Sequence, residues 1–200
     1  YGISVFNQTK TGLRIKSNLR KKQSLLHALT FESELRSTSD IQSLYEEIRA
    51  NNPKLIHIEM NDYFRSNRID QNPFVHYVKN FAYNGNGKLV GYFLLAIKKG
   101  IDSAFISALS ASNHDVKSLM LSLAMKELKK NRTLKSVKLF GNRLNLENLE
   151  CMNMLDTYGH SKYDTGMYIV SLPLEEKNKE TLADFSNWYI NGLWTEGLSQ

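Results

Sequence analysis

The pattern of apolar and polar residues divides the chain into short strands and amphipathic helices. Apolar residues in the segments 1–6 and 13–16 flank the turn 9–12, which predicts an N-terminal hairpin closed at Gly12. A polar connection follows, and the apolar-rich segment 25–35 predicts a third strand. The first part of the chain is therefore expected to be built from strands.

Helical spacing then replaces strand alternation. Over residues 37–51 apolar positions recur every three or four residues, after the N-cap candidates Ser37 and Asp40 and before a stop at Pro53. The segment 54–75 has the weakest pattern of the chain, and we interpret it as a short helix and a loop.

A second hairpin is predicted in the middle of the chain. The segments 74–84 and 88–99 are rich in β-forming residues and flank the turn 85–87, whose Gly-Asn-Gly sequence is a strong hairpin signal. A small apolar strand over 103–111 follows the hairpin directly.

Strands and helices alternate in the remainder. An amphipathic helix over 114–130 leads to a buried-type strand over 134–142, then to a helix over 144–159 and a strand over 164–174. The sequence thus predicts a mixed α/β fold, with a largely antiparallel central sheet flanked by helices and a late βαβ unit.

The positive charge of the protein is concentrated near its start. The net charge is +6, from 26 Lys and Arg against 20 Asp and Glu, and residues 1–31 hold six of the cations and no acid. We therefore interpret 1–31 as a basic N-terminal extension and 32–200 as one domain. Basic segments contact nucleic acid, acidic proteins or anionic lipid, and a solvated hairpin is the alternative. Contact with nucleic acid through residues 10–22 is left open.

Several classes of protein are excluded by composition and spacing. The apolar runs are too short for a transmembrane helix, so no membrane partner is expected, and no signal peptide is visible. Cys151 is the single cysteine, which fits a reducing, cytoplasmic location. The histidines lack metal-ligand spacing, so no metal site is expected.

The turn 112–118 presents free backbone amides at the start of a helix. That helix end carries a partial positive charge, and His114 and Lys117 place cations beside it, so the turn is a candidate anion site. A plain capped helix is the alternative, with Asn113 as the cap and Asp115 as a first-turn acid that occupies the position of a phosphate. The candidate ligand-binding residues of the turn are Asn113, His114, Asp115, Val116, Lys117 and Ser118.

The order of elements over residues 30–175 resembles that of the GNAT acyltransferase superfamily. "SAFISALSA" and the helix after it resemble the strand and helix whose connecting turn holds the pyrophosphate of acetyl-CoA in that family. "NLECMNMLDTYGH" is similar to the family's "N-x-x-A-x-x-L-Y-x-x-x-G-F" stretch, and "GMYIVSLPL" to its last core strand. The resemblance implies a GNAT-like sheet and a coenzyme A site at the turn 112–118.

The chain departs from the family at the motif residues themselves. Where the family has Gln/Arg-x-x-Gly-x-Gly/Ala, this chain has Ser112, Asp115 and Lys117, so both glycines that allow close approach of phosphate are missing. The tyrosine that acts as general acid in the family aligns with Met154 or Leu155 of this chain. Tyr158 is the nearest tyrosine and our candidate general acid, although it lies on another side of the helix.

The resemblance implies transfer of an acyl group, in the first place acetyl, from acetyl-CoA to an unidentified small-molecule or peptide amine. An amide near Ile106 and Ala108 would polarise the thioester carbonyl, and Glu59 or Asp62 would take the proton of the amine. Asn142 and Arg143, at the carboxyl end of a strand, would bind a pantetheine amide and a phosphate. A polar loop with ordinary surface acids is the alternative for Glu59 and Asp62, and a plain loop is the alternative for Asn142 and Arg143.

Two other functions stay open at this stage. The glycine-free turn and the missing tyrosine favour a catalytically inactive GNAT-like module that binds a partner. An aminoacyl-tRNA-dependent transferase, whose fold is similar, would explain the basic segment 10–22. A homodimer through a sheet edge is a further expectation.

Overall fold

The computed structural model describes the backbone of residues 2–5, 8–142, 144–158, 160–162 and 175–194, and the side chains within 12–142, 144–158 and 175–194. Within these residues the strands are β1 (Gly2–Val5), β2 (Thr30–Glu32), β3 (His76–Tyr83), β4 (Leu89–Ile97), β5 (Ser103–Ala111), β6 (Ser136–Leu139) and β7 (His160–Lys162). The helices are α1 (Gln8–Lys21), α2 (Gln23–Ala28), α3 (Thr38–Asn51), α4 (Asp62–Arg65), α5 (His114–Lys130), α6 (Leu146–Asp156) and α7 (Lys179–Ala183).

The seven strands form one sheet in the order β2-β3-β4-β5-β6-β1-β7. In the succession β2, β3, β4 and β5, each strand is antiparallel to the next. Strands β5 and β6 are parallel, and α5 connects them. The predicted fold class is confirmed: the sheet is mixed and largely antiparallel, helices flank it, and the late βαβ unit is β5-α5-β6. This element order is GNAT-like.

Helix α3 begins and packs as its sequence predicts. Ser37 and Asp40 form a reciprocal capping box, in which each side chain accepts a hydrogen bond from the backbone near the other. One face of the helix, Ile41, Leu44, Tyr45 and Ile48, is buried against the sheet. The turn signal between β3 and β4 is also confirmed, since Gly87 adopts a positive φ of 74° there.

The core lies on both faces of the sheet. One apolar cluster joins α1, α5 and α6 to the sheet, and a second joins α3 and the segment 185–194 to the opposite face. Strand β4 is covered on both sides and is buried from Leu89 to Ala96, so it has a continuous apolar sequence and no alternation.

The predicted N-terminal hairpin is wrong. Residues 8–21 form the single helix α1, whose positions 12, 15 and 19 have helical spacing and face α5, and β1 lies inside the sheet between β6 and β7. The predicted strand 25–35 is also shorter than expected, because α2 precedes β2. The separation of residues 1–31 from a domain over 32–200 stays a prediction.

Two weaker expectations have different outcomes. The segment 54–75 contains the short helix α4, continued by a π-helical turn at Ser66–Asp70, so the predicted helix and loop are confirmed. The predicted closing strand over 164–174 falls outside the described residues.

Candidate functional site

The strands β5 and β6 separate at their carboxyl ends. Their parallel pairing covers only Ser103–Ile106 of β5, while β5 continues along β4 to Ala111. A bulge at Ser107 shifts the β4–β5 register at the same point. The separation leaves a cleft beside the second half of β5, at the edge of an α/β sheet where ligands usually bind.

The chain's own segment 185–194 occupies this cleft. Tyr189 and Leu193 are 4% and 3% exposed, and the hydroxyl of Tyr189 donates to the carbonyl of Leu109 on β5 at 2.6 Å. The backbone of the segment also pairs with the loop after α3: the amide of Ile56 donates to Asn187, and the amide of Tyr189 donates to Ile56. The segment therefore takes the place that an extended ligand would take between the strands.

Three asparagines around the start of α6 hold the segment. The side-chain amide of Asn142 donates to the carbonyls of Phe185 and Trp188, and that of Asn145 donates to Ser186. Asn148 donates to the carbonyl of Ile190 at 2.7 Å and accepts from the amide of the same residue at 2.9 Å.

Asn142, predicted to bind a pantetheine amide, donates to backbone carbonyls of the protein itself, and its predicted ligand contact stays a prediction. Asn145 and Asn148, which the sequence analysis missed, have the same role. Their signal in the sequence was the triplet spacing of asparagines at 142, 145 and 148. Arg143, predicted to bind a phosphate, lies outside the described residues.

Four buried hydroxyl groups lie next to the occupied cleft. The hydroxyls of Tyr45 and Tyr92 are 3.1 Å apart, Tyr45 and Ser110 are 3.1 Å apart, and Ser110 and Tyr189 are 3.2 Å apart. Burial raises the pKa of each tyrosine, so all three stay protonated at neutral pH. The sequence analysis did not select these residues, because tyrosines at apolar positions of a helix and a strand are typical of a core.

The turn 112–118 is a capped helix start. The side chain of Asn113 accepts from the amide of Val116 at 3.0 Å, so one of the amides predicted to bind an anion already has a partner. Asp115 forms an ion pair at 2.6 Å with Lys22, the residue between α1 and α2, and its exposed side chain lies at the mouth of the turn. The amine of Lys22 holds the pKa of that carboxyl below its usual value.

The two cations predicted for the turn are directed to α6. Lys117 is 2% exposed and forms ion pairs with Glu147 and Glu150, and His114 contacts Glu150 at 2.6 Å. Burial acts to lower the pKa of Lys117, but the neighbouring carboxylates outweigh it and the pKa is raised. Burial likewise acts to raise the pKa of Glu150, and Lys117 and His114 outweigh it, so that pKa is lowered.

The candidate catalytic residues are not brought together. Glu59 and Asp62 are exposed, and Asp62 is the first-turn acid of α4. Met60 beside them belongs to the core on the α3 face, whereas Tyr158 belongs to the core on the α5 face. Their catalytic roles stay predictions.

Tyr158 has local partners on the α5 face. Its hydroxyl accepts from the side-chain amide of Asn18 at 3.0 Å and lies 3.2 Å from the hydroxyl of Ser122, which itself donates to Ser118. With Ser118, His114 and Glu150, it lines a groove of about 490 Å³ between α5 and α6.

Ile106 and Ala108 are placed as predicted along the chain. Both are fully buried in β5, at the point where β6 leaves it, so their amides lie at the base of the cleft. Their predicted role as oxyanion donors stays a prediction.

Two further properties concern membranes and metals. None of the helices in the described ranges is long and apolar enough to cross a membrane. Nor do the described side chains contain three His, Cys, Asp or Glu grouped closely enough to bind a metal ion. Cys151 is buried on α6, and burial raises the pKa of its thiol to about 12.

Comparison with known proteins gives similarity at the level of structure. No family model and no curated protein matches the sequence. L-PGS from Bacillus licheniformis matches with a TM-score of 0.44 and 11% identity, over 68% of this chain and 42% of that chain. The C-terminal domain (DUF2156) of a protein described as a lysylphosphatidylglycerol synthetase from Agrobacterium fabrum matches with a TM-score of 0.38 and 12% identity, over 68% and 44%. This chain therefore spans less than half the length of either structure.

Proposed function

We propose that this chain is a GNAT-like acyltransferase domain whose acyl donor is an aminoacyl-tRNA and not acyl-CoA. The observation that carries the proposal is the state of the turn 112–118. Its acid, Asp115, is held at the mouth by Lys22, and its cations, His114 and Lys117, are used by Glu150 and Glu147. The turn has no cation left for a pyrophosphate.

Electrostatics make this turn a poor pyrophosphate site. An incoming phosphate would meet the carboxylate of Asp115, whose side chain is 75% exposed, at the place where the α5 amides would otherwise attract it. The pantetheine arm would also have to displace the segment 185–194 from between β5 and β6. Acetyl-CoA therefore meets one obstacle at the turn and a second one in the cleft.

An aminoacyl ester does not need a pyrophosphate cradle. The nucleophile of the acceptor attacks the ester carbonyl, the bond between that carbon and the ribose oxygen breaks, and the ribose oxygen takes the proton from the acceptor. Contacts with the RNA, which lie far from the reacting bond, supply the binding energy that positions the ester. The surplus of basic residues before residue 32 suits such a donor.

The test measures transfer from a mixed pool of tRNA charged with radiolabelled amino acids. The acceptor panel contains small amines, a peptide amine and vesicles of phosphatidylglycerol. The lipid is included because the two structures similar to this chain are described as L-PGS and a lysylphosphatidylglycerol synthetase. We expect label to leave the RNA and appear on one acceptor, and calorimetry with acetyl-CoA to give no heat at millimolar concentration.

The control variant Asp115→Asn removes the acid of the turn and keeps the size of the side chain. We expect it to transfer label at the unmodified rate, because Asp115 has no role in binding the RNA donor. Saturable micromolar binding of acetyl-CoA by the unmodified protein would contradict the proposal, and so would tRNA that keeps its label with every acceptor.

A catalytically inactive binding module is the second candidate, and the occupied cleft favours it. Three asparagine side chains hold the segment 185–194 in the cleft beside β5, where a substrate would have to bind. Binding of tRNA without loss of label would support this candidate over the first.

A further inference from the structure

A basic groove lies between α1, α2 and the second half of α5. Its volume is about 500 Å³, and its basic lining residues are Lys16, Arg20, His27, Lys126 and Lys129. Among the described residues no Asp or Glu lines it. Four permanent cations therefore share one concave surface, which we call the basic groove.

These four cations have no carboxylate partner among the described residues. Nearby cations are paired: Lys22, between α1 and α2, with Asp115, and Lys130 of α5 with Glu127. In the part of the chain that the structure describes, Lys16, Arg20, Lys126 and Lys129 form no ion pair with a carboxylate. Like charges this close repel one another, so an anion bound in the groove would reduce the electrostatic repulsion that is present in the free protein.

The two helices aim their charges at each other. Lys16 and Arg20 are four residues apart on α1, and Lys126 and Lys129 three apart on α5, so each pair shares one helix face. The ammonium of Lys129 lies against Gly12, where a β-carbon would overlap it. The glycine thus lets a cation from α5 reach across to α1, and the two rows of charge converge.

The shape and floor of the groove indicate what kind of anion fits. Ile15 is buried at the floor, and Leu19 and Leu26 are half-buried, so the apolar residues do not project. A membrane is flat and is bound by projecting apolar side chains, which this concave surface lacks. Among the described residues no Phe, Tyr or Trp lines the groove, so its planar groups for base stacking are the His27 imidazole and the Arg20 guanidinium.

We propose that the basic groove binds the phosphate backbone of RNA, independently of base sequence. The convergent cations supply the phosphate contacts, and with no Phe, Tyr or Trp among the described lining residues these backbone contacts provide most of the affinity. The inference rests on the proposed function only for the identity of the RNA as tRNA, since the groove would bind RNA whether or not transfer follows.

The test compares two double charge reversals in the full chain. Lys126→Glu with Lys129→Glu changes the groove. Lys177→Glu with Lys179→Glu changes two lysines outside the groove, whose side chains are 77% and 63% exposed. Both variants lower the net charge equally, so a general charge effect would appear in both. Fluorescence anisotropy with labelled tRNA, at several salt concentrations, gives the affinity and its salt dependence.

We expect the groove variant to bind tRNA about tenfold more weakly or worse, and the slope of log affinity against log salt to fall by about one for each lysine removed. The control variant should stay within about twofold of the unmodified protein at the same salt. Circular dichroism checks that both variants fold. Equal weakening in the two variants would overturn the inference, as would binding to anionic vesicles without binding to tRNA.

The readouts separate this inference from the proposed function. If the groove variant loses tRNA binding but the unmodified protein transfers no label, the inference about the groove stands and the proposed transferase activity is wrong. If the protein transfers label and the groove reversal does not weaken this transfer, the proposed activity stands and the inference about the groove is wrong.

Discussion

At the scale of single residues, the most consequential side chain is Lys117. It is almost fully buried and lies between two carboxylates that are each only about a quarter exposed (27% and 28%). A lone cation among apolar positions of α5 was interpreted as a ligand for phosphate, because sequence position shows that a lysine is near a helix start but not which way it turns. The acids that fix its direction come from α6.

Replacing Lys117 by methionine should destabilise the fold by about 2–3 kcal/mol at pH 7, because the change leaves two partly buried carboxylates without their cation. Lys126→Met, an exposed change on the same helix, should stay within about 0.5 kcal/mol. Urea unfolding measures both. Equal losses in the two variants would contradict the ion-pair account.

The pH dependence of the free energy of unfolding tests the same ion pairs of Lys117. In the native protein Lys117 and His114 lower the pKa of Glu150, so this carboxylate stabilises the fold above its unfolded pKa of 4.5 and loses that contribution as pH falls through the lowered value. Without Lys117 the two carboxylates repel each other instead. The deficit of Lys117→Met relative to the unmodified protein should therefore shrink below about pH 5. A deficit that does not change with pH would count against repulsion as its cause.

At the scale of elements, the close contact between β4 and α5 depends on Gly91. A β-carbon there would lie 2.8 Å from a methyl group of Val116 and 3.2 Å from Met120. The missing side chain lets the first turns of α5 approach the sheet and so sets the position of the turn 112–118.

Gly91→Ala should cost about 1–3 kcal/mol, because α5 must shift or repack. Gly85→Ala is the matched control, since a β-carbon at that exposed turn meets nothing within 4 Å and should change stability by less than about 0.5 kcal/mol. Thermal and urea unfolding of both variants test the contact. If Gly91→Ala were as stable as the control, α5 would not be packed as closely as described.

Elements with strong local signals were predictable from sequence. Helix α3 follows from Ser37 and Asp40, and the β3–β4 hairpin from the glycines of its turn. Helix α1 was not predictable, because the sequence around Gly12 does not distinguish a glycine in a turn from a glycine at a contact between helices. Gly12 is of the second kind, which only its contact with Lys129 reveals.

At the scale of the whole molecule, the segment 185–194 decides whether the cleft is open. The occupation of the cleft by this segment was not predictable, because it depends on contacts such as that of Asn148 with Ile190, which are 42 residues apart. Local pattern predicted the strands on both sides of the cleft. It could not identify the occupant.

Asn148→Asp keeps the size of the side chain and its acceptor for the amide of Ile190, but replaces the donor to the Ile190 carbonyl by a carboxylate oxygen. We expect amide exchange in the segment 185–194 to accelerate by about tenfold or more, because a buried hydrogen bond is lost and an acceptor faces an acceptor. Exchange in β3 and β4 should not change.

Hydrogen-exchange mass spectrometry resolves the two regions, with Asn153→Asp as the exposed control on α6. Uniform acceleration over the whole chain would mean that the variant lowers global stability and does not release the segment.

The position of β1 has a consequence for the biosynthesis of this protein. Val5 pairs with Ser136, and Ser4 with His160, so the residues of β1 are synthesised long before either neighbour exists. Both edges of β1 stay unpaired until β6 has left the ribosome, and one edge stays unpaired until residue 162 follows. Unpaired edges are prone to non-native pairing. Formation of the sheet order β6-β1-β7 is therefore expected to be a late event, completed after translation of β7, and slow for a protein of this size.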